Sequence, residues 1–133
     1  MTKGRTGEAA AASLLEEKGM QILEKNFRSR WGEIDIIALE HSAGVPVGRG
    51  TFPGSPPPAG ETIVFTEVKT WSSYGIDSLE QALDIKKQRK IIETSKYFLS
   101  LHREYRYMAI RFDVIFISPT GITHLASAFT ERV

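Results

Sequence analysis

The chain has 133 residues, 41% hydrophobic and 25% charged, with 17 Lys and Arg against 16 Asp and Glu and no Cys. A chain this long buries roughly two thirds of its unfolded surface, so one domain over residues 1–133 is expected to fold without staples. The composition excludes disulfide frameworks, thiolate zinc sites, cysteine nucleophiles and a histone-like basic coat, and no apolar run is long enough to span a bilayer, which together point to a cytoplasmic protein outside the membrane.

Residues 6–18 carry a helical pattern, because Ala11, Leu14 and Leu15 recur at three- and four-residue spacings and Gly19 is placed to end it. A short apolar run at Met20, Ile22 and Leu23, followed by Asn26-Phe27-Arg28, predicts a first strand within 20–30. After Trp31-Gly32, the β-branched stretch 33–39 predicts a second, buried strand, and 62–70 a third. Between them, 41–60 holds five of the six prolines and five of the eleven glycines, so a long irregular loop insertion is expected there. A second long helix begins either at the capping box Ser78-Leu79-Glu80-Gln81 or at Asp84 and continues to about residue 102. Strands are then expected at 111–117 and 122–126, separated by a Pro119-Thr120-Gly121 turn. The order α, β, β, β, α, β, β describes a mixed α/β domain with a three-strand meander before a crossover helix.

The informative residues are charges inside apolar patterns, because a buried unpaired carboxylate is costly. Asp35 interrupts Ile34, Ile36 and Ile37; Glu67 and Lys69 share a face of the third strand; Glu8 lies three, four and seven residues before Ala11, Ala12 and Leu15 on the helical stripe. If the helix packs across the sheet, Glu8, Asp35 and Glu67 converge with Lys69 beside them. Hard carboxylate oxygens suit Mg2+ or Mn2+, and a lysine next to the metal-bound water suits phosphodiester hydrolysis. The competing readings are a surface ion pair for Glu67 and Lys69, worth at most about 1 kcal/mol, and a turn or edge position for Asp35.

Gly7-Glu8 with Ala11, Asn26-Phe27-Arg28, Gly32-Glu33-Ile34-Asp35-Ile36-Ile37-Ala38 and Phe65-Thr66-Glu67-Val68-Lys69 together resemble the uncharacterised bacterial YraN family (UPF0102) over nearly the whole chain. That family looks like a branch of the PD-(D/E)xK nuclease superfamily, near Holliday junction resolvases and restriction-endonuclease-like folds. The resemblance implies a restriction-endonuclease-like mixed sheet with an αβββαβ core. It also implies Asp35 and Glu67 as metal ligands, Lys69 as the catalytic lysine, and Glu8 as the first-helix acid supporting the metal. Gln81 and Lys86 fall where related enzymes place polar residues around the second core helix. The family commonly carries an arginine two residues past the lysine, where this chain has Trp71, which reads either as a packed aromatic at the sheet end or as a residue that stacks on an unpaired base. The 41–60 insertion stands where relatives have a tighter connection.

Lys86, Lys87, Arg89 and Lys90 form a basic cluster suited to flanking phosphates, with Arg28 and Arg30 as secondary candidates; a solvated helix face is the plainer reading. Asp113 and Arg111 are expected to form a structural pair, and His41, His102 and His124 have no metal-ligand spacing. The expected activity is a Mg- or Mn-dependent endonuclease on branched or structured DNA, rather than RNA. Junction cleavage would favour a homodimer, because two sites must address two symmetric strands. The alternative is a nuclease-like module that binds nucleic acid or a repair partner without cutting.

Overall fold

The computed structural model describes residues 3–41, 61–70 and 84–130, with side chains from Gly7 onward in the first segment. Helix α1 (Lys3–Glu17) leads into strands β1 (Gln21–Arg28), β2 (Glu33–Glu40) and β3 (Thr62–Thr70). Helix α2 (Ile85–Leu101) and a 3-10 turn (Arg103–Tyr105) precede β4 (Ala109–Ser118) and β5 (Gly121–Phe129). The strands form one sheet in the order β1-β2-β3-β4-β5. β1, β2 and β3 are an antiparallel meander, β3 and β4 run parallel, and β4 and β5 close an antiparallel hairpin. A parallel neighbour demands a crossover, and α2 is that crossover. The mixed α/β architecture expected from the sequence is present, and it is compatible with a restriction-endonuclease-like fold.

The helices cover opposite faces. Under α1, Ala11, Ala12 and Leu15 pack on Ile36, Ala38, Val64 and Ile115. Under α2, Ile91, Ile92 and Phe98 pack on Ile37, Leu39, Ile63, Phe65 and Phe112. Covering both faces explains why the middle of β2 and β3 reads as an unbroken apolar run rather than an alternation. Small residues in α1 let it lie close to the sheet. At Gly7, a Cβ would stand 2.8 Å from Thr70 Oγ1 and 3.3 Å from Ile117 Cδ1.

The observed boundaries differ from the sequence expectations mainly at the ends. The last strand is longer than 122–126, because β5 pairs with β4 back to Phe129↔Phe112 through a bulge between Phe112 and Val114. Of the two starts expected for α2, Asp84 is the observed cap: its Oδ1 accepts the Lys86 N–H at 2.7 Å. The Ser78–Gln81 alternative and residues 42–60 of the insertion lie outside the described residues. Among the described residues, no helix is long and apolar enough to cross a membrane.

Arg111 and Asp113 form the structural pair expected of them, inside a larger network. Asp113, 1% exposed, accepts two bonds from Arg111 (2.8 and 2.9 Å), the Ser127 N–H (3.0 Å) and a bond shared with His124 Nε2 (2.7 Å). Arg111 also donates to Glu40 at 2.8 Å, and His124 Nδ1 meets Lys18 Nζ at 2.7 Å, tying α1 to the β5 edge. Burial alone would push the Asp113 carboxyl up, but the bonds from His124, Arg111 and Ser127 hold it below the usual carboxylate value.

The close approach at Gly7 has a measurable consequence. Gly7→Val is expected to lower unfolding free energy by about 1–3 kcal/mol through overpacking against Thr70 and Ile117. Gly7→Ala is expected to cost less, since alanine returns up to about 1 kcal/mol of helix propensity. Urea denaturation of the two variants checks the order; equal stability of Gly7→Val and the parent would show that the contact is slack.

Candidate active site

The site begins where the β2–β3 ladder stops. Pairing runs from Glu40↔Thr62 to Ile36↔Thr66 and is not continued beyond. Past that point the Val68 N–H is taken by the carboxylate of Asp35, at 2.7 Å to Oδ2, instead of a strand carbonyl. The side-chain alternation of β2 also breaks here: Ile36 joins the core under α1, whereas Ile34, two residues earlier, joins the core under α2. The reversal has a partner in β1. Asn26, which falls between the pairs Lys25↔Ile36 and Phe27↔Ile34 and so faces Asp35, adopts φ +54°, a left-handed conformation that asparagine tolerates better than most residues. The two strands therefore turn together, and Phe27 and Ile34 are both delivered to the α2 side.

Glu67 and Lys69 continue the parity of Ile63 and Phe65 and lie on the α2 side of β3. Lys69 Nζ stands 3.3 Å from Glu67 Oε1, and Lys87 Nζ, from α2, stands 3.7 Å from the same oxygen. Glu67 is only 15% exposed, so this is no solvated surface pair. Its other oxygen, Oε2, is buried without a hydrogen-bond partner among the described residues. A partnerless buried carboxylate oxygen is unusual in a stable fold and calls for a cation or proton.

Electrostatics join the parts. Burial, first, and then the nearby charges of Glu8, Glu67 and Glu33 push the Asp35 carboxyl up to about 6, against the pull of the Val68 N–H. Glu8, partly buried on α1, thus acts on Asp35 from the helix on the other face. Burial favours the neutral form of Lys69, but its bond with Lys87 and the charges of Glu67 and Asp35 hold its pKa above the ordinary lysine value. Lys87 is shifted the other way, by burial and by the Lys69 ammonium beside it.

The structure therefore assembles Asp35, Glu67 and Lys69, with Glu8 in electrostatic reach. It adds Lys87, which sequence reasoning had placed among the phosphate contacts and which instead sits at Glu67. A basic residue at the first turn of a helix following the Glu-x-Lys strand was visible, but its direction was not. Lys86, Arg89 and Lys90 are exposed on α2, and Arg28 is exposed with Glu33 at 3.8 Å. Trp71 and Gln81 lie outside the described residues.

As to a metal, no three His, Asp or Glu among the described residues form a set that could hold an ion by themselves. Magnesium commonly takes only one or two carboxylates and keeps waters or substrate oxygens as its other ligands. The orphaned Glu67 Oε2 and the crowded, proton-seeking Asp35 fit that smaller donor set.

A fold that raises a carboxyl's pKa disfavours the ionised form, so ionising Asp35 costs stability. Stability from this group is full below the unfolded value of 3.8 and is lost as pH rises towards the folded value of about 6. In EDTA, Asp35→Asn should therefore raise unfolding free energy at pH 7 by about 2 kcal/mol, a gain that shrinks towards zero near pH 4. Chemical denaturation at the two pH values checks this; a variant that is less stable at pH 7 would show that the carboxylate's bond to Val68 outweighs its burial.

The geometry can be set beside known proteins. The model of the uncharacterised protein family UPF0102 matches residues 7–117. A UPF0102 protein of Persephonella marina is 39% identical over 127 residues, covering 96% of this chain and 92% of its own length. One of Treponema denticola is 40% identical over 135 residues, covering 96% and 95%, and one of Treponema pallidum (strain Nichols) is 36% identical over 137 residues, covering 98% and 94%. The matched span takes in Glu8, the β1–β2 turn, Asp35, Glu67, Lys69 and Lys87, and with coverage of this extent the chain belongs to the UPF0102 family.

Proposed function

We propose that the protein is a Mg- or Mn-dependent endonuclease that hydrolyses phosphodiester bonds in branched or otherwise structured DNA. The observation that carries the reading is the Glu67 carboxylate, largely buried near Asp35 at the end of the β2–β3 ladder, with Lys69 on one oxygen and no partner among the described residues on the other. When bound, the metal would polarise the scissile phosphate and lower the pKa of a water. Asp35 and Glu67 would hold it, and Glu8 would add negative charge from α1.

The rest of the chemistry falls to this chain's own residues. Lys69 Nζ, kept protonated by Glu67 and Asp35, is placed to orient the attacking water and to offset the charge that develops on the phosphate. Lys87, whose pKa burial and the Lys69 ammonium lower, would in its neutral form take a proton from Lys69, which would then accept one from the attacking water. Exposed Lys86, Arg89 and Lys90 extend a cationic surface along α2 for flanking phosphates.

A second reading, a nuclease-like module that binds without cutting, is favoured by one observation: two lysines, Lys69 and Lys87, already stand against Glu67. Cleavage of labelled junction, flap, single-strand and duplex substrates, as DNA and RNA, in Mg2+, Mn2+ or EDTA separates the two. The expected result is metal-dependent cutting of branched DNA, reduced roughly 100- to 1,000-fold in Lys69→Ala while binding in EDTA is retained. Equal loss of binding and cutting in that variant would remove Lys69 from the chemistry. Binding without cutting in every metal would favour the module.

A further inference from the structure

The turn between β1 and β2 holds an aromatic residue that the core does not use. Trp31 is 36% exposed and lies outside the buried clusters, while Tyr97 of α2, 40% exposed, stands 6.1 Å from it between ring centroids. The Arg30 guanidinium lies over the Trp31 ring at 4.9 Å. The turn is firmly held. Ser29 N–H donates to Gly32 O at 2.8 Å, the Trp31 N–H donates to Ser29 Oγ at 3.1 Å, and Ser29 Oγ is bonded to Thr94 Oγ1 of α2 at 2.7 Å. Gly32 sits against Lys90, whose Cβ is 3.4 Å from the position a Cβ would take. An indole fixed by its backbone yet left open to solvent is a prepared contact surface.

Its setting is cationic and continuous with the candidate active site. Arg30 lies over the ring, Lys90 stands against the neighbouring Gly32, and Arg28, exposed at the end of β1, has Glu33 as its carboxylate partner at 3.8 Å. Lys87, Lys90, Thr94 and Tyr97 are spaced three, four and three residues apart, so they line one side of α2. That stripe runs from Glu67, which Lys87 touches, to Trp31, which Tyr97 touches, a span of about 15 Å at the helical rise. On the strand side the same interval is bridged by β2, from Trp31 through Glu33 to Asp35.

We infer that Trp31, Tyr97 and Arg30 form a stacking platform for unpaired bases of a single strand whose phosphates follow the exposed Lys90, Arg89 and Lys86 of α2 towards the Asp35 and Glu67 site. The ligand class is single-stranded nucleic acid, and in this the inference rests on the nuclease reading. Indole and phenol faces accept any base, and the exposed Arg30 guanidinium can give up the ring face to a base and move to a phosphate. This would direct the enzyme to junctions and flaps, which offer unpaired bases, rather than to continuous duplex.

The test uses the full chain in EDTA, so that binding is read apart from cutting. The chain has two tryptophans, and Trp71→Phe leaves Trp31 as the only indole reporter. Titrating that variant with a single-stranded thymidine oligonucleotide should quench Trp31 emission. Relative to it, adding Trp31→Ala should weaken single-strand affinity by roughly 5- to 100-fold and Tyr97→Leu by less, while Trp31→Phe keeps most of it. Duplex affinity should change little. Unchanged Trp31 emission at saturation, or a Trp31→Ala chain that binds as tightly as its parent, overturns the platform while leaving the nuclease reading intact. A folded chain carrying both native tryptophans that binds no nucleic acid of any form overturns both, and the aromatic pair would then face some other partner.

Discussion

Everything distinctive about this molecule depends on one exchanged hydrogen bond. Where the β2–β3 ladder ends at Ile36↔Thr66, the Val68 N–H passes from strand carbonyl to Asp35 carboxylate. A carboxylate can take that place only if it is drawn into the sheet, where desolvation and three nearby acids disfavour its charge. Beyond that point β2 and β3 are no longer paired, and Glu8 from the α1 side and Glu67 and Lys69 from the α2 side all interact electrostatically with Asp35. A regular ladder would have kept the two faces apart.

The contrast with the Arg111–Asp113 network shows what a structural charge cluster looks like in this fold. Asp113 is the more deeply buried carboxylate, yet all its capacity is met by Arg111, His124 and Ser127, and its proton affinity falls below the ordinary value. Asp35 and Glu67 go the other way: the pKa of one is raised, and the other keeps an oxygen with no partner among the described residues. Satisfied buried charges hold β4, β5 and the end of α1 together; the unsatisfied ones are what the proposed cation site rests on. Stability lost at the ladder's end is made up elsewhere, by two apolar layers and a closely seated α1.

Helix α2 has a double role that its position as a crossover imposes. Its apolar side, Ile91, Ile92 and Phe98, fills the core, and a neighbouring stripe faces both the β3 acid and the β1–β2 turn. Because Asn26 turns the hairpin towards α2, Ser29 can reach Thr94 and Trp31 can reach Tyr97. Helix and hairpin thus form one wall of the candidate site, rigid on its inner side and open on its outer one.

Much of this was legible in the sequence. Helical spacing, β-branched runs and the Pro and Gly cluster located the elements, because period and turn chemistry are local properties. Carboxylates inside apolar runs singled out Asp35 and Glu67, and the two-residue strand period placed Lys69 beside Glu67, because burying charge is costly wherever it occurs. What only the tertiary structure decided was relative placement. That Lys87 points to Glu67, that Ile34 and Ile36 face opposite layers, and that Trp31 is exposed beside Tyr97 all depend on how α2 packs and where the ladder breaks. These are contacts between residues far apart in the chain, set by the whole sheet's register and twist, and no local periodicity encodes them.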